Sequence, residues 1–275
     1  MIDGDFVRSH GLGNDYLVMD AARLGFDLTP ERIRLICHRH LGVGSDGILL
    51  RVDNPAADFA VRILNPDGSE AEKSGNGLRI FAKFLHDHGY TTKTEFTIHT
   101  PGGLVRARLI RSGARVTAVR VDMGQAMIDR NLTRVTVAGQ ALEITAVSVG
   151  NPHCVVIVPD LAGIDLAALG PQLENHPLFP HRTNVQFAQV LGRRDVRALI
   201  WERGAGHTLA SGSSSCAVAV ACYDRQLVDG QVTVHMEGGD LAIELDAALN
   251  LVMTGPVAEV CRGRFSADLR QQLGV

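Results

Sequence analysis

Hydrophobic residues fall in short runs along most of the 275-residue chain. Tyr16-Leu17-Val18-Met19, Gly47 to Val52 and Phe59 to Leu64 are of strand length and rich in apolar and β-branched residues, as are Cys154 to Val158 and Val185 to Val190. Bounded by Gly, Asp and Asn, such runs predict strands. Three segments break this rhythm and predict helices: Pro30 to His40, Leu78 to His88 and Ser215 to Gln226. The first follows Thr29, whose hydroxyl can cap a first-turn amide, with Pro30 at the first helical position and Glu31 where a negative charge suits the helix dipole. The other two are apolar nearly all round, through Ile80, Phe81, Ala82, Phe84 and Leu85 in one and Ala217 to Cys222 in the other. A helix apolar on every side is a buried one. The pattern predicts an α/β (α+β) protein in which strands form a mixed sheet or barrel around a central buried helix, twice over.

The two halves repeat each other. Asn65 stands nine residues before Ser74 and Glu202 nine before Ser211, while Asn14 and Asn151 each precede those serines by 60 (74−14 = 211−151 = 60). Gly13-Asn14-Asp15 answers Gly150-Asn151-Pro152, and Thr97 to Gly103 answers Thr233 to Gly239. The offset is 137 at the serines and 136 at the Gly-Gly pairs (211−74 and 239−103), so one deletion separates them. Two copies of one plan predict pseudo-twofold-related domains with an active site in the inter-domain cleft. The polar turn Arg111-Ser112-Gly113-Ala114-Arg115 puts the junction near 112–120. The expected domains are 1–116, rejoined by the tail 263–275, and 117–262.

Composition narrows the function by exclusion. The net charge of −3 and the absence of a basic run leave no electrostatic footprint for nucleic acid. No stretch approaches the ~18 apolar residues of a membrane span, and the acidic start Met1-Ile2-Asp3-Gly4-Asp5 is unlike a signal peptide. Five cysteines without a C-x-x-C pair fit free thiols in a reducing cytoplasm. Cys37-His38-x-His40 has close ligand spacing but reads as surface, so no metal is expected.

The matched turns carry the chemistry. Ser74-Gly75-Asn76-Gly77 and Ser211-Gly212-Ser213-Ser214 each set small residues at the mouth of a buried helix, where free amides and the positive dipole end cradle an anion. Two such mouths gripping one carboxylate would put an acid/base group on each face of the attached carbon, as inversion at an amino-acid α-carbon requires. One such turn alone would read as a buried serine cap; the duplication favours the chemical reading.

The ordered motifs His10-Gly11-Leu12-Gly13-Asn14-Asp15, Gly42-Val43-Gly44-Ser45-Asp46-Gly47 and Asn65-Pro66-Asp67-Gly68-Ser69 resemble the diaminopimelate epimerase family. So do Gly75-Asn76-Gly77-Leu78-Arg79, Gly150-Asn151-Pro152-His153-Cys154 and Glu202-Arg203-Gly204-Ala205-Gly206, and the resemblance runs from Phe6 to about Gly263. It implies a homodimeric epimerase, free of pyridoxal phosphate or any other cofactor, with a thiolate and a thiol as the acid/base pair. It further implies that Asn65, Asn184, Glu202 and Arg203 bind the distal end of diaminopimelate, Arg203 the carboxylate and Glu202 the ammonium. Asn14, Asn151 and His153 would line the reacting end.

This chain departs from the family at the acid/base pair itself, with Ser74 and Ser211 where the family has cysteine. A thiol ionises near ~8.5 and a hydroxyl nearer the ~15.7 of water, which leaves the base on the order of 10 kcal/mol less available. Helix dipoles worth about 1–2 kcal/mol do not repair that. Such a chain is expected to be nearly inactive. Three accounts compete: engineered replacement to trap a ligand, a natural relative that binds without inverting or runs other chemistry, and a serine activated by a nearby base for hydrolysis. His207, where the family usually has glutamate, invites the third account. It also keeps alive a racemase for another amino acid, while an amino-acid-binding protein without turnover is the non-enzymatic alternative.

Overall fold

The computed structural model describes residues 4–275, so Met1-Ile2-Asp3 of the acidic start lie outside the described residues. Contacts divide the chain into two units, Met1–Val121 with Pro256–Val275, and Asp122–Gly255. The first opens with β1 (Phe6–Gly11), β2 (Asn14–Asp20), α1 (Ala21–Leu24), α2 (Pro30–Cys37), β3 (Ile48–Val52), β4 (Phe59–Leu64) and β5 (Glu70–Ala71). It continues with α3 (Gly75–Asp87), β6 (Glu95–Thr100), β7 (Gly103–Ser112) and β8 (Arg115–Gln125), whose end crosses into the second unit. The second unit holds β9 (Met127–Asp129), β10 (Arg134–Val137), β11 (Gln140–Glu143), β12 (Thr145–Ser148), β13 (Pro152–Ile157), α4 (Leu166–Glu174) and β14 (Asn184–Gly192). Then come β15 (Asp195–Glu202), β16 (Gly206–His207), α5 (Gly212–Asp224), β17 (Gln231–Met236), β18 (Gly239–Leu245) and β19 (Asn250–Pro256). The chain returns to the first unit with β20 (Ala258–Gly263) and α6 (Ala267–Leu273).

Each unit is a mixed sheet of the same order and polarity. In the first, β20, β1, β2, β3, β4, β6, β7 and β8 are successive neighbours; β2–β3 and β4–β6 are parallel and the others antiparallel. In the second, β9, β12, β13, β14, β15, β17, β18 and β19 follow the same order, with β13–β14 and β15–β17 parallel. The mixed α/β class and the internal repeat expected from the sequence are therefore present in the fold. The turn Ser112–Arg115 closes the β7–β8 hairpin inside the first unit, and the passage to the second follows at Val121.

One buried helix sits against each sheet. Residues 75–85 of α3 are buried against β1, β2 and β7, and α5 is buried from Ser214 to Cys222 against β12–β15, β17 and β18. The sheets are covered on their other faces too. Ile48 and Leu50 join Ile33, Ile36 and Phe265 in one cluster under α2 and α6, while Leu49 between them turns toward α3. Strands buried on both faces carry continuous apolar runs rather than strict alternation, which is why Ile48-Leu49-Leu50 reads as it does. In the second unit Cys154, Val156, Val185 and Phe187 pack under α4 and the β10–β11 hairpin. Their alternates face α5.

The helix boundaries correct the sequence reading at both ends. α2 stops at Cys37, with His38 as its C-cap, so Cys37-His38-x-His40 is not one helical face. α3 and α5 begin three residues earlier than Leu78 and Ser215, because Ser74 and Ser211 cap them and draw the glycine- and serine-containing turns into the first helical turn. Among the described residues no helix is long and apolar enough to cross a membrane, and no group of three or more His, Cys, Asp or Glu could hold a metal ion.

Candidate active site

Ser74 has extended backbone (φ −139°, ψ 118°) and its Oγ accepts from Gly77 N at 3.1 Å, capping α3. Tyr16 Oη lies 3.4 Å from the same Oγ. Beside the cap runs a polar chain with a charge at each end. Arg79 Nη2 donates to Asn76 Oδ1 (2.9 Å), Asn76 Nδ2 to Asn14 Oδ1 (3.1 Å), and Asn14 Nδ2 to Asp46 Oδ2 (3.0 Å). Arg39 Nη2 holds Asp46 at 2.6 Å and Asp15 at 2.9 Å. Burial pushes the Asp15 carboxyl up, but its bonds to Arg39 and Arg8 outweigh this and hold it below the usual range. A cation on one end and a carboxylate on the other fix which way each amide faces. Asn14 reaches this chain through a two-residue hairpin, Leu12 (φ 59°) and Gly13 (φ 91°), both left-handed as a type I′ turn requires.

The second mouth is built alike with different chemistry. Ser211 caps α5 from the same extended conformation (φ −140°, ψ 128°), and its Oγ donates to Glu202 Oε2 at 3.0 Å. The fully buried His153 stands where the repeat places Tyr16 (16 + 137 = 153). Its Nε2 is 2.9 Å from Asn151 Oδ1 and its Nδ1 3.1 Å from Gln186 Nε2, which also donates to Ser214 Oγ at 3.0 Å. Nε2 carries the proton in this arrangement, since Asn151 Oδ1 can only accept and Gln186 Nε2 can only donate. Burial pushes His153 down to about 3, with the Arg203 charge adding to it against the Gln186 bond, so the ring is neutral at physiological pH.

The residues expected at the distal end divide between the units. Asn184 Nδ2 donates to Pro152 O (2.9 Å) and its Oδ1 accepts from Arg203 N (3.0 Å), so these two meet. Arg203 Nη1 donates to His181 O at 3.1 Å. Asn65 belongs to the first unit, where its Nδ2 donates to Ser69 Oγ at 3.0 Å, and no hydrogen bond ties it to the Ser74 mouth among the described residues. Glu202, read from the resemblance as a partner for an ammonium, has its Oε2 on Ser211. It ends β15 and pairs with Gly206 of β16, from which the chain leads on to the α5 cap at Ser211. His207 pairs with Glu237, not with Ser211. Gly212 is buried beneath the mouth and Ser213 is half-buried at its rim.

Tyr16, Asp46, Glu174 and Gln186 were missed in the sequence. The offset that aligns the serines also sets Tyr16 opposite His153 and Leu49 opposite Gln186 (49 + 137 = 186), and that signal could have found two of them. Burial pushes Cys154 and Cys222 up to about 12, so neither is a thiolate near neutral pH.

Among solved structures the fold is similar to a hydroxyproline epimerase from Agrobacterium vitis (TM-score 0.74, 16% identity, 93% of this chain and 90% of that one). It is similar as well to a probable proline racemase from Agrobacterium radiobacter (TM-score 0.71, 17% identity, 93% and 90%). At that identity the likeness speaks for the fold, one found in epimerases and racemases. Sequence goes further. The model of the family described as diaminopimelate epimerase matches residues 6–128 and 145–260. The chain is 44% identical to the diaminopimelate epimerase of Moorella thermoacetica, over 96% of this chain and 99% of that protein. It is 43% identical to diaminopimelate epimerase 2 of a Nostoc species, over 96% of both. The chain belongs to the diaminopimelate epimerase family.

Proposed function

We propose that this chain acts on diaminopimelate, converting the LL form to the meso form by proton transfer at one α-carbon, a step of lysine and peptidoglycan-precursor synthesis. The reading uses no pyridoxal phosphate or other cofactor, and turnover is strongly reduced because Ser74 and Ser211 stand in place of two thiols. One observation carries it: a serine-capped mouth on a buried helix in each half of a chain this similar to named epimerases. The chemistry needs one acid/base group on each face of the α-carbon, and Ser74 and Ser211 are the proposed pair. Amides of Gly75, Asn76, Gly212 and Ser213 bind the α-carboxylate, with Asn14 and Asn151 beside the reacting centre and His153 behind Asn151. Asn65, Asn184 and Arg203 take the distal end, and His207 supports the rim with Glu237.

The contact of Glu202 with Ser211 supports a refinement. As Ser211 Oγ takes the α-proton, its own proton can pass to Glu202 Oε2 at 3.0 Å, leaving the electron pair on the α-carbon. The proton then comes to rest on the Glu202 carboxylate, and no serine alkoxide has to form first. Ser74 has the Tyr16 phenol beside it, which offers a proton but no ready base. Residual chemistry is therefore one-sided, with exchange of the α-proton from the Ser211 face faster than inversion. The reading extends to a homodimer in the cytoplasm, supported by the resemblance and by free cysteines.

The experiment is calorimetry with diaminopimelate and with alanine, followed by turnover in heavy water. Diaminopimelate should bind more tightly than alanine and gain deuterium at the α-carbon faster than it inverts. Equal binding of both ligands would instead favour a racemase of a simpler amino acid. Binding without any exchange would favour a protein that holds its ligand without turning it over.

A further inference from the structure

Glu174 on α4 is used by none of the chemistry above, yet it is buried, only 6% exposed. Its Oε2 accepts from Trp201 Nε1 at 2.8 Å, and its Oε1 from Gly204 N at 2.9 Å and Arg182 Nη1 at 3.0 Å. A buried carboxylate is tolerated when it has a counter-charge and filled lone pairs, and this one has both. Its two anchors on the 201–204 segment lie on either side of Arg203. Gly170, one helical turn earlier on the same face of α4, lets the helix approach closely: a Cβ there would lie 2.5 Å from Trp201 Cδ2. Asn184 Oδ1 also holds Arg203 N, and His181 O holds the guanidinium.

The repeat contains the same device with its polarity reversed. α2 lies between β2 and β3 as α4 lies between β13 and β14. Its Arg34 Nη1 donates to Asp67 O at 2.9 Å, and position 67 matches 204 (67 + 137). In each unit the outer helix grips the turn that carries a residue expected to bind ligand. The second unit does so with a carboxylate bonded to residues that flank Arg203 in the chain.

We propose that Glu174 is a positioning residue for Arg203: by tying down Trp201 and Gly204 it sets where the guanidinium is presented, and so sets the preference for a ligand with a distal carboxylate. This rests on the reading above that Arg203 binds that carboxylate. Calorimetry on the full chain tests it. Glu174→Gln should weaken diaminopimelate binding about ten-fold, the scale of one lost charge-assisted bond, and leave alanine binding unchanged. Glu174→Asp, which keeps the charge, should recover part of the loss. Equal weakening of both ligands, or of neither, would overturn the proposal. Arg203→Ala, run in parallel, separates the two ideas: if it too fails to discriminate between the ligands, the reading of Arg203 is what falls. Hydrogen exchange without ligand decides the positioning role in either case. The Gly204 amide and the Trp201 indole N–H should exchange faster in Glu174→Gln than in the parent, and unchanged protection at both would overturn it.

Discussion

A serine oxygen and a cysteine sulfur fill similar space at a helix N-terminus, and their acidities differ by about seven pKa units. Installing Ser74→Cys with Ser211→Cys should therefore raise inversion of diaminopimelate by several orders of magnitude with little change in binding. Either substitution alone should give far less, because one face still lacks its proton donor. Inversion rates in the parent equal to those in the doubly substituted chain would remove the acidity argument. His153 supplies a second test at this scale. Its pKa is about 3 in the fold against an ordinary 6.5. Below pH 6.5 the unfolded chain gains a proton that the folded chain refuses, so stability falls as pH falls, by up to ~1.4 kcal/mol per unit, until the folded pKa is reached. Urea midpoints at pH 7 and pH 5 should show this loss, and His153→Gln should flatten it. Equal slopes in both proteins would mean that His153 is not buried neutral. Ser74, Ser211 and His153 were legible because they sit in local, repeated motifs. Asp46 and Glu174 were not, because each meets its partners only after sheet pairing or helix packing brings distant segments together.

At the scale of elements, the two central helices show how one plan accepts opposite chemistries. Leu49 Cδ2 packs where a Cβ on Gly77 would lie at 2.9 Å, whereas the matched Gln186 and Ser214 are hydrogen-bonded. Gln186→Leu strips buried partners from Ser214 and His153 and should cost about 1–3 kcal/mol. Adding Ser214→Gly recreates the Leu49–Gly77 pair and should recover part of that loss, so denaturant unfolding of the two single variants and the double should be non-additive. Additive losses would mean that the two positions do not interact. α2 was legible from Thr29 and Pro30. α4 was not, since Gly170 and Pro171 inside it argue against a helix. The Asp165 cap and packing against Trp201 override that local preference. The short β5 and β16 carry no periodic signal and exist through pairing with β4 and β15.

At the scale of the whole chain, the repeat was legible in the matched spacings, while the return of the C-terminal segment rests on long-range pairing. β20 lies antiparallel to β1 from Phe6↔Gly263 to His10↔Ala258, and Phe265 N and Arg270 bond to Asp5. Ending the chain at Pro256 should bare the β1 edge and loosen the cluster that contains Phe265 and Leu273, lowering the melting temperature and promoting association. An unchanged, monodisperse truncation product would show that the pairing contributes little.

That same strand imposes a timetable. Emerging from the ribosome at roughly 5–20 residues per second, the polypeptide presents the first half long before β20 exists. The later half, continuous in sequence, is complete as soon as Gly255 is made. The order of synthesis and the order of completion are therefore inverted. The first unit waits, with one strand edge exposed, for residues 256–275 to be translated. During that interval a chaperone or a neighbouring nascent chain would find its opening.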